Sequence, residues 1–79
     1  MVEENIVLEI LAVNIFGVLT RITMQFSKRG YNIDSLVAQS IAGTQYSKII
    51  VGLRGDEYVK DQLVKQISKL RDVKKVNLI

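Results

Sequence analysis

Apolar positions along the chain fall into four short runs and two helical stripes, which together predict six elements. Ile6 to Val13, I-V-L-E-I-L-A-V, is short enough for a strand and apolar on both faces apart from Glu9. Asn14-Ile15-Phe16-Gly17 breaks the run. Val18, Leu19, Ile22 and Phe26 follow at helical spacing, with Arg21, Gln25 and Lys28 opposite, and predict a helix of about three turns. Gly30 comes just after Lys28 and Arg29, where a helix takes a left-handed residue beyond a cationic last turn. Tyr31 to Ile41 and Gln45 to Leu53 read as two further strands, and Ala42-Gly43-Thr44 suits a hairpin connection between them. Asp56 is a natural helix N-cap, and Glu57 is favourable in the first turn. Val59, Leu63, Ile67 and Leu70 then mark a second amphipathic helix, with Asp61 and Lys65 in the better order for an ion pair. Val73 to Ile79 forms the last strand, with Val76 and Leu78 on one face.

The order β-α-β-β-α-β predicts an α+β, ferredoxin-like sandwich in which two helices cover one face of a four-stranded antiparallel sheet. Right-handed crossovers put the first and third strands at the centre and the second and fourth at the edges. The second strand lacks proline and carries Asp34 as its only charge. Such an edge either pairs with another copy of the chain or is covered by a terminus or by twist.

The sequence has 79 residues, and residues 1–79 are expected to form a single domain. A chain of this size buries only roughly 60–65% of its unfolded surface, so dimerisation is a plausible way to enlarge the core. There is no Cys and no His. Disulfides, thiolate metal sites, Cys nucleophiles and the usual neutral-pH general base are therefore excluded. The start M-V-E-E-N is acidic, unlike a signal peptide, and the apolar stretch to Leu19 is too short to span a bilayer. A soluble, cytoplasmic protein is the expectation. The formal charge is +3, with Lys65, Lys69, Arg71, Lys74 and Lys75 clustered late. That cluster is either a solvated face or a surface for an acidic partner, and it is too non-specific to imply nucleic acid.

The fold hosts unrelated functions, so individual residues must discriminate. The central strands offer only Tyr46 as an aromatic, too few for an RNA-recognition surface. An acylphosphatase-like site would need a glycine-rich anion loop with an arginine; N-I-F-G-V-L-T-R offers Gly17 and Arg21, but the pattern puts Arg21 mid-helix, facing solvent. The turn before the first helix carries the most chemistry. A helix N-terminus exposes unpaired N–H groups and partial positive charge, which together suit a carboxylate. Gly17 lets the backbone approach a ligand, and Asn14 can both accept and donate. Equally, Asn14 could simply cap the helix or turn, and Gly17 could simply serve the local backbone.

Three segments carry a family resemblance. Phe26 to Leu36, F-S-K-R-G-Y-N-I-D-S-L, closely resembles the segment after the first helix in acetolactate (acetohydroxyacid) synthase small subunits, regulatory chains that carry an ACT domain. Asn14 to Arg21 looks like that family's Asn-x-x-Gly-Val/Ala-Leu-Ser/Thr-Arg turn, and Gln66 to Val76, Q-I-S-K-L-R-D-V-K-K-V, is similar to its closing motif. The three occur in the right order and cover essentially the whole chain.

The resemblance implies a non-catalytic regulatory subunit that activates a separate catalytic large subunit. Thiamine diphosphate, FAD and Mg would belong to that partner, with no cofactor in this chain. It also implies a homodimer joined through the second strands, with valine or another branched-chain amino acid bound at the interface. The helix start at Gly17 would hold the effector's carboxylate, a contact worth about 0.3–2 kcal/mol from the dipole alone. Asn14, and Asn32 from the facing protomer, would hold polar groups, while Ile15, Val18 and Ile33 would contact the apolar side chain. Asn32 could instead bond its own strand start, Asp34 could be a solvated strand residue, and Tyr31 is expected to be structural. No nucleic acid or membrane partner is implied. Two departures stand out: Phe16 replaces a usually small residue and Val13 an often acidic one. A phenyl ring at position 16 would fill the pocket or alter its preference. Valine-sensitive members usually continue into a C-terminal domain that is absent from these residues. A free-standing amino-acid sensor acting on another partner is the alternative.

Overall fold

A computed structural model describes residues 3–79. It contains β1 (Glu4–Val13), α1 (Val18–Lys28), β2 (Ile33–Ser40), β3 (Tyr46–Gly55), α2 (Glu57–Ser68) and β4 (Val73–Leu78). The sheet order is β2-β3-β1-β4 and every pairing is antiparallel, as expected from the crossover rule. No helix among the described residues is long and apolar enough to cross a membrane.

Alternation along the central strands sets the core. Ile6, Leu8, Ile10 and Ala12 of β1, with Ile49, Val51 and Leu53 of β3, are buried against the helices. Val18, Ile22 and Phe26 of α1 and Leu63 and Ile67 of α2 fill the other side at four-residue spacing. Leu19, expected in that stripe, is instead more than a third exposed and turned toward β2. Burying one such side chain stabilises the fold by roughly 1.5–3 kcal/mol, so these contacts dominate.

The helix ends follow local chemistry. Gly30 adopts φ 76° and donates to the Ser27 carbonyl at 3.0 Å, while the Tyr31 N–H reaches the Phe26 carbonyl at 3.0 Å. This paired closure satisfies two carbonyls and brings Tyr31 against the edge of the core. It also consumes Tyr31 and Asn32, so β2 starts two residues later than the apolar run suggests. Asp56 caps α2, its carboxylate accepting from the Val59 N–H at 3.0 Å. The Lys60 ammonium bridges Glu4 at 2.7 Å and Glu57 at 2.9 Å, tying α2 to the start of β1. These carboxylates, Glu4 foremost, raise the lysine pKa above its ordinary value. The expected Asp61–Lys65 pair is not among the ion pairs of the described residues. Exposed i, i+4 pairs contribute too little to order two long side chains.

The two sheet edges differ. On β2 every side chain from Asp34 to Ser40 is exposed, Leu36 and Val37 included. One irregularity, near Asp34, interrupts the β2 pairing, and beyond it the register with β3 is continuous from Ser35 to Ser40. On β4 a register shift opposite Leu11 and Ala12 leaves Lys74 unmatched, with Lys75 beside it. A bulge and two lysines discourage strand addition along β4, whereas on β2 the irregularity and the one charge are confined to the Asp34 end, and Ser35 to Ser40 lack such protection.

Candidate functional site

The β1–α1 turn is built by backbone bonds. The Val13 N–H donates to the Asp72 carbonyl at 2.8 Å, the Asn14 N–H to the Gln45 carbonyl at 2.7 Å, and the Val18 N–H to the Ile15 carbonyl at 3.2 Å. Gly17 takes the N-cap position at φ 82° and ψ −4°, a left-handed conformation that glycine adopts without steric penalty. No side chain caps α1 and its first turn holds no acidic residue. Among the described residues, no turn or side-chain acceptor meets the N–H groups of Leu19 and Thr20. Two donors at the positive end of a helix dipole are thus left for water or an anion.

Asn14 does not cap this helix. Its side-chain Nδ2 donates to the Ser40 Oγ at 2.9 Å and ties the turn to the end of β2. Between these two elements lies a groove of about 240 Å³. Asn14, Ile15, Gly17, Val18, Leu19 and Thr20 form one wall, and Ala38, Gln39, Ser40, Ser47 and Ile49 form the other. Ala38 and Ser40 pair with the buried Ile49 and Ser47, so they lie on the helix side of the sheet. The groove is small, mixes polar donors with aliphatic contacts, and opens along the unpaired β2 edge. Chemically it suits a small zwitterion or carboxylate with a short apolar side chain.

Four of the six candidate residues, Asn14, Ile15, Gly17 and Val18, therefore converge. Asn32 and Ile33 lie at the far end of β2, about 23 Å away for seven residues of extended strand. There Asn32 donates to the Asp34 carboxylate at 3.3 Å rather than to its own backbone. A second depression holds Asn32 and Asp34 with Gly30, Arg54 and Asp56. Asp34 is exposed on β2, as expected of a solvated strand residue, and accepts this one bond. Phe16 departs from expectation as well: it is fully exposed and absent from the groove lining. With Gly17 left-handed, the turn directs residue 16 outward, so the phenyl ring does not fill the site.

Arg21 is not simply solvated. Its Nε donates to the Asp72 Oδ2 at 2.8 Å and its Nη2 lies 2.7 Å from the same oxygen. It lines a separate depression with Ile22, Leu70, Arg71 and Asp72, so no arginine faces the groove. The five late cations, Lys65 to Lys75, are exposed and also remote from the groove. Among the described residues no cluster of three or more Asp and Glu side chains could hold a metal. Ser40 and Ala38 were not foreseeable as site residues, because their approach to Asn14 depends on strand order. The one local signal was a polar residue closing the apolar run of β2.

Comparison with known proteins extends this picture. Residues 8–75 match the family model described as the AHAS small subunit-like ACT domain. The acetolactate synthase small subunit of Buchnera aphidicola subsp. Baizongia pistaciae is 42% identical over 73 residues, covering 92% of this chain and 46% of that protein. The acetolactate synthase isozyme 3 small subunit of Escherichia coli is 39% identical over 71 residues, covering 90% and 44% respectively. The crystal structure of the acetolactate synthase small subunit from Thermotoga maritima superposes with a TM-score of 0.87 at 28% identity, over 95% of this chain and 47% of that one. The chain spans about half the length of the curated relatives it matches.

Proposed function

Because this chain belongs to the family of AHAS small subunit-like ACT domains, we propose that it acts as a non-catalytic regulatory subunit of acetolactate synthase. It binds and activates a catalytic large subunit through preferential association with the active state of that partner. A small amino acid, valine or another branched-chain member, binds at the β1–α1 turn. Thiamine diphosphate, FAD and Mg belong to the catalytic partner; a chain with neither Cys nor His is poorly equipped for metal or redox work.

The observation that carries this reading is the uncapped α1 N-terminus opening onto a groove at an unprotected sheet edge. The N–H groups of Leu19 and Thr20 take the effector carboxylate, and Asn14 takes a further polar group. Val18 and Ile15 supply apolar contact. Half of the site comes from a second copy. Antiparallel pairing of two β2 edges about a two-fold axis brings the partner protomer's Asn32–Ile33 end beside this chain's Ser40 end. The exposed Leu36 and Val37 near the middle of β2 support such pairing, and the guarded β4 edge favours a closed pair over an open array.

The test is to mix the purified chain with the catalytic large subunit and assay acetolactate formation with and without L-valine. Binding with a rise in rate is expected. Absence of both would refute the assignment, and valine binding without activation would replace it with an amino-acid sensor serving another partner. Gly17→Asp is expected to abolish valine binding, since it sets a negative charge beside the donors.

A further inference from the structure

One residue fastens both ends of the ligand turn. The Asp72 carbonyl accepts from the Val13 N–H at the end of β1, and its carboxylate accepts from Arg21 in the opening turn of α1. Arg21 and Asp72 are 51 residues apart in sequence. Asp72 is mostly buried, its side chain 13% exposed against 47% for Arg21, so the carboxylate is the fixed member and the arginine folds onto it. The remaining nitrogen, Nη1, lies against Gly17: a Cβ there would come within 3.2 Å of it. The Arg21 N–H also donates to the Gly17 carbonyl at 3.0 Å. The guanidinium is therefore wedged between the glycine at the start of α1 and the α2–β4 turn, on the side away from the groove.

We propose that Arg21 and Asp72 are positioning residues for the β1–α1 turn, so that the affinity of that turn for a carboxylate is set from the α2–β4 turn. A cation in the first turn of a helix opposes the macrodipole, and Asp72 compensates that charge while fixing the direction of the guanidinium. The depression lined by Leu70, Arg71 and Asp72 beside this pair is open to the surface. A partner that moves the α2–β4 turn would loosen or tighten the Leu19 and Thr20 donors, and effector binding would act on that partner reciprocally.

Positioning and plain electrostatics predict opposite signs. If Asp72 acted only through its charge, removing that charge would leave Arg21 free to attract a carboxylate, and affinity would rise. Positioning predicts a fall. The experiment measures amide hydrogen exchange and L-valine calorimetry on the chain carrying Asp72→Ala or Arg21→Lys, with Lys60→Met as a control that severs two ion pairs elsewhere. In Asp72→Ala, which removes the oxygen that accepts both Arg21 nitrogens, the Val18 and Arg21 amides should exchange about tenfold faster. The Val13 amide, bonded to the retained backbone carbonyl, should be unchanged, and valine affinity should fall about tenfold. Arg21→Lys keeps the charge pair but not the two-donor grip, and should be intermediate. Unaltered exchange at Val18 and Arg21, or acceleration spread equally over Leu8, Ile10 and Val51, would overturn the proposal, as would tighter valine binding. This inference deepens the effector-site reading, but the exchange arm decides it independently. A wild-type chain that gives no heat with valine would refute only the ligand.

Discussion

The wedge between Gly17 and Arg21 can be measured through two glycines that share a backbone conformation. Gly17 sits at φ 82° and Gly30 at φ 76°. An alanine at either position bears the left-handed penalty of about 1–2 kcal/mol. Reduced freedom of the unfolded chain offsets about 0.4–1 kcal/mol of it. A Cβ on Gly30 would meet nothing within 4 Å, so Gly30→Ala should cost only this balance, about 1 kcal/mol. A Cβ on Gly17 would lie 3.2 Å from the Arg21 Nη1, and the guanidinium must give way by a few tenths of an ångström. That displacement strains contacts to Asp72 of 2.8 and 2.7 Å. A charged hydrogen bond contributes about 1.5–3 kcal/mol, but half-exposure of the arginine and partial retention of the bond reduce the loss to about 0.5–1 kcal/mol. Gly17→Ala should thus be destabilising by about 1.5–2 kcal/mol in all. In urea unfolding at fixed protein concentration it should lower the midpoint more than Gly30→Ala, with the slope unchanged. For a chain of this size the excess corresponds to about 2–8 °C in Tm. In an Arg21→Ala background the excess should vanish, because the group that Cβ meets is gone. Equal losses for the two glycines, or an excess that survives removal of Arg21, would refute the reasoning.

Two other outcomes follow from the edge strand and from the Lys60 bridge. Val37 is 53% exposed at the middle of β2, and Val37→Lys should turn a dimer into a monomer in sedimentation experiments while leaving the circular dichroism unchanged. A dimer that persists would show that pairing does not use this edge. Lys60 has a pKa raised by Glu4 and then Glu57, so its stabilisation is complete below the ordinary lysine pKa and fades only as pH rises through the higher folded value. The stability difference between the native chain and Lys60→Met should therefore stay constant from about pH 7 to about pH 9. A decline within that window would contradict the raised pKa.

The sequence by itself determined the elements, their order and the buried faces, because these depend on periodicities of two and 3.6 residues and on local hydrogen bonds. Lys28-Arg29-Gly30-Tyr31 encodes the end of α1, and Asp56 encodes the start of α2, since each bond closes within a few residues. Strand order followed from crossover handedness, a rule that needs no side chain. What the chain leaves open locally is which distant groups meet. Asn14 looked like a cap or a ligand group, and tertiary structure made it a tie to Ser40, 26 residues away. Arg21 lay on the polar side of a helix, and only the arrival of the α2–β4 turn gave it Asp72. Phe16 looked able to fill the groove, but the left-handed Gly17 turned it outward. Asn32 and Ile33 lie a full strand away from the turn, and within one copy of the chain no local rule could bring them there. Those outcomes depend on register and on the path of the backbone through space, and both are set jointly by all six elements.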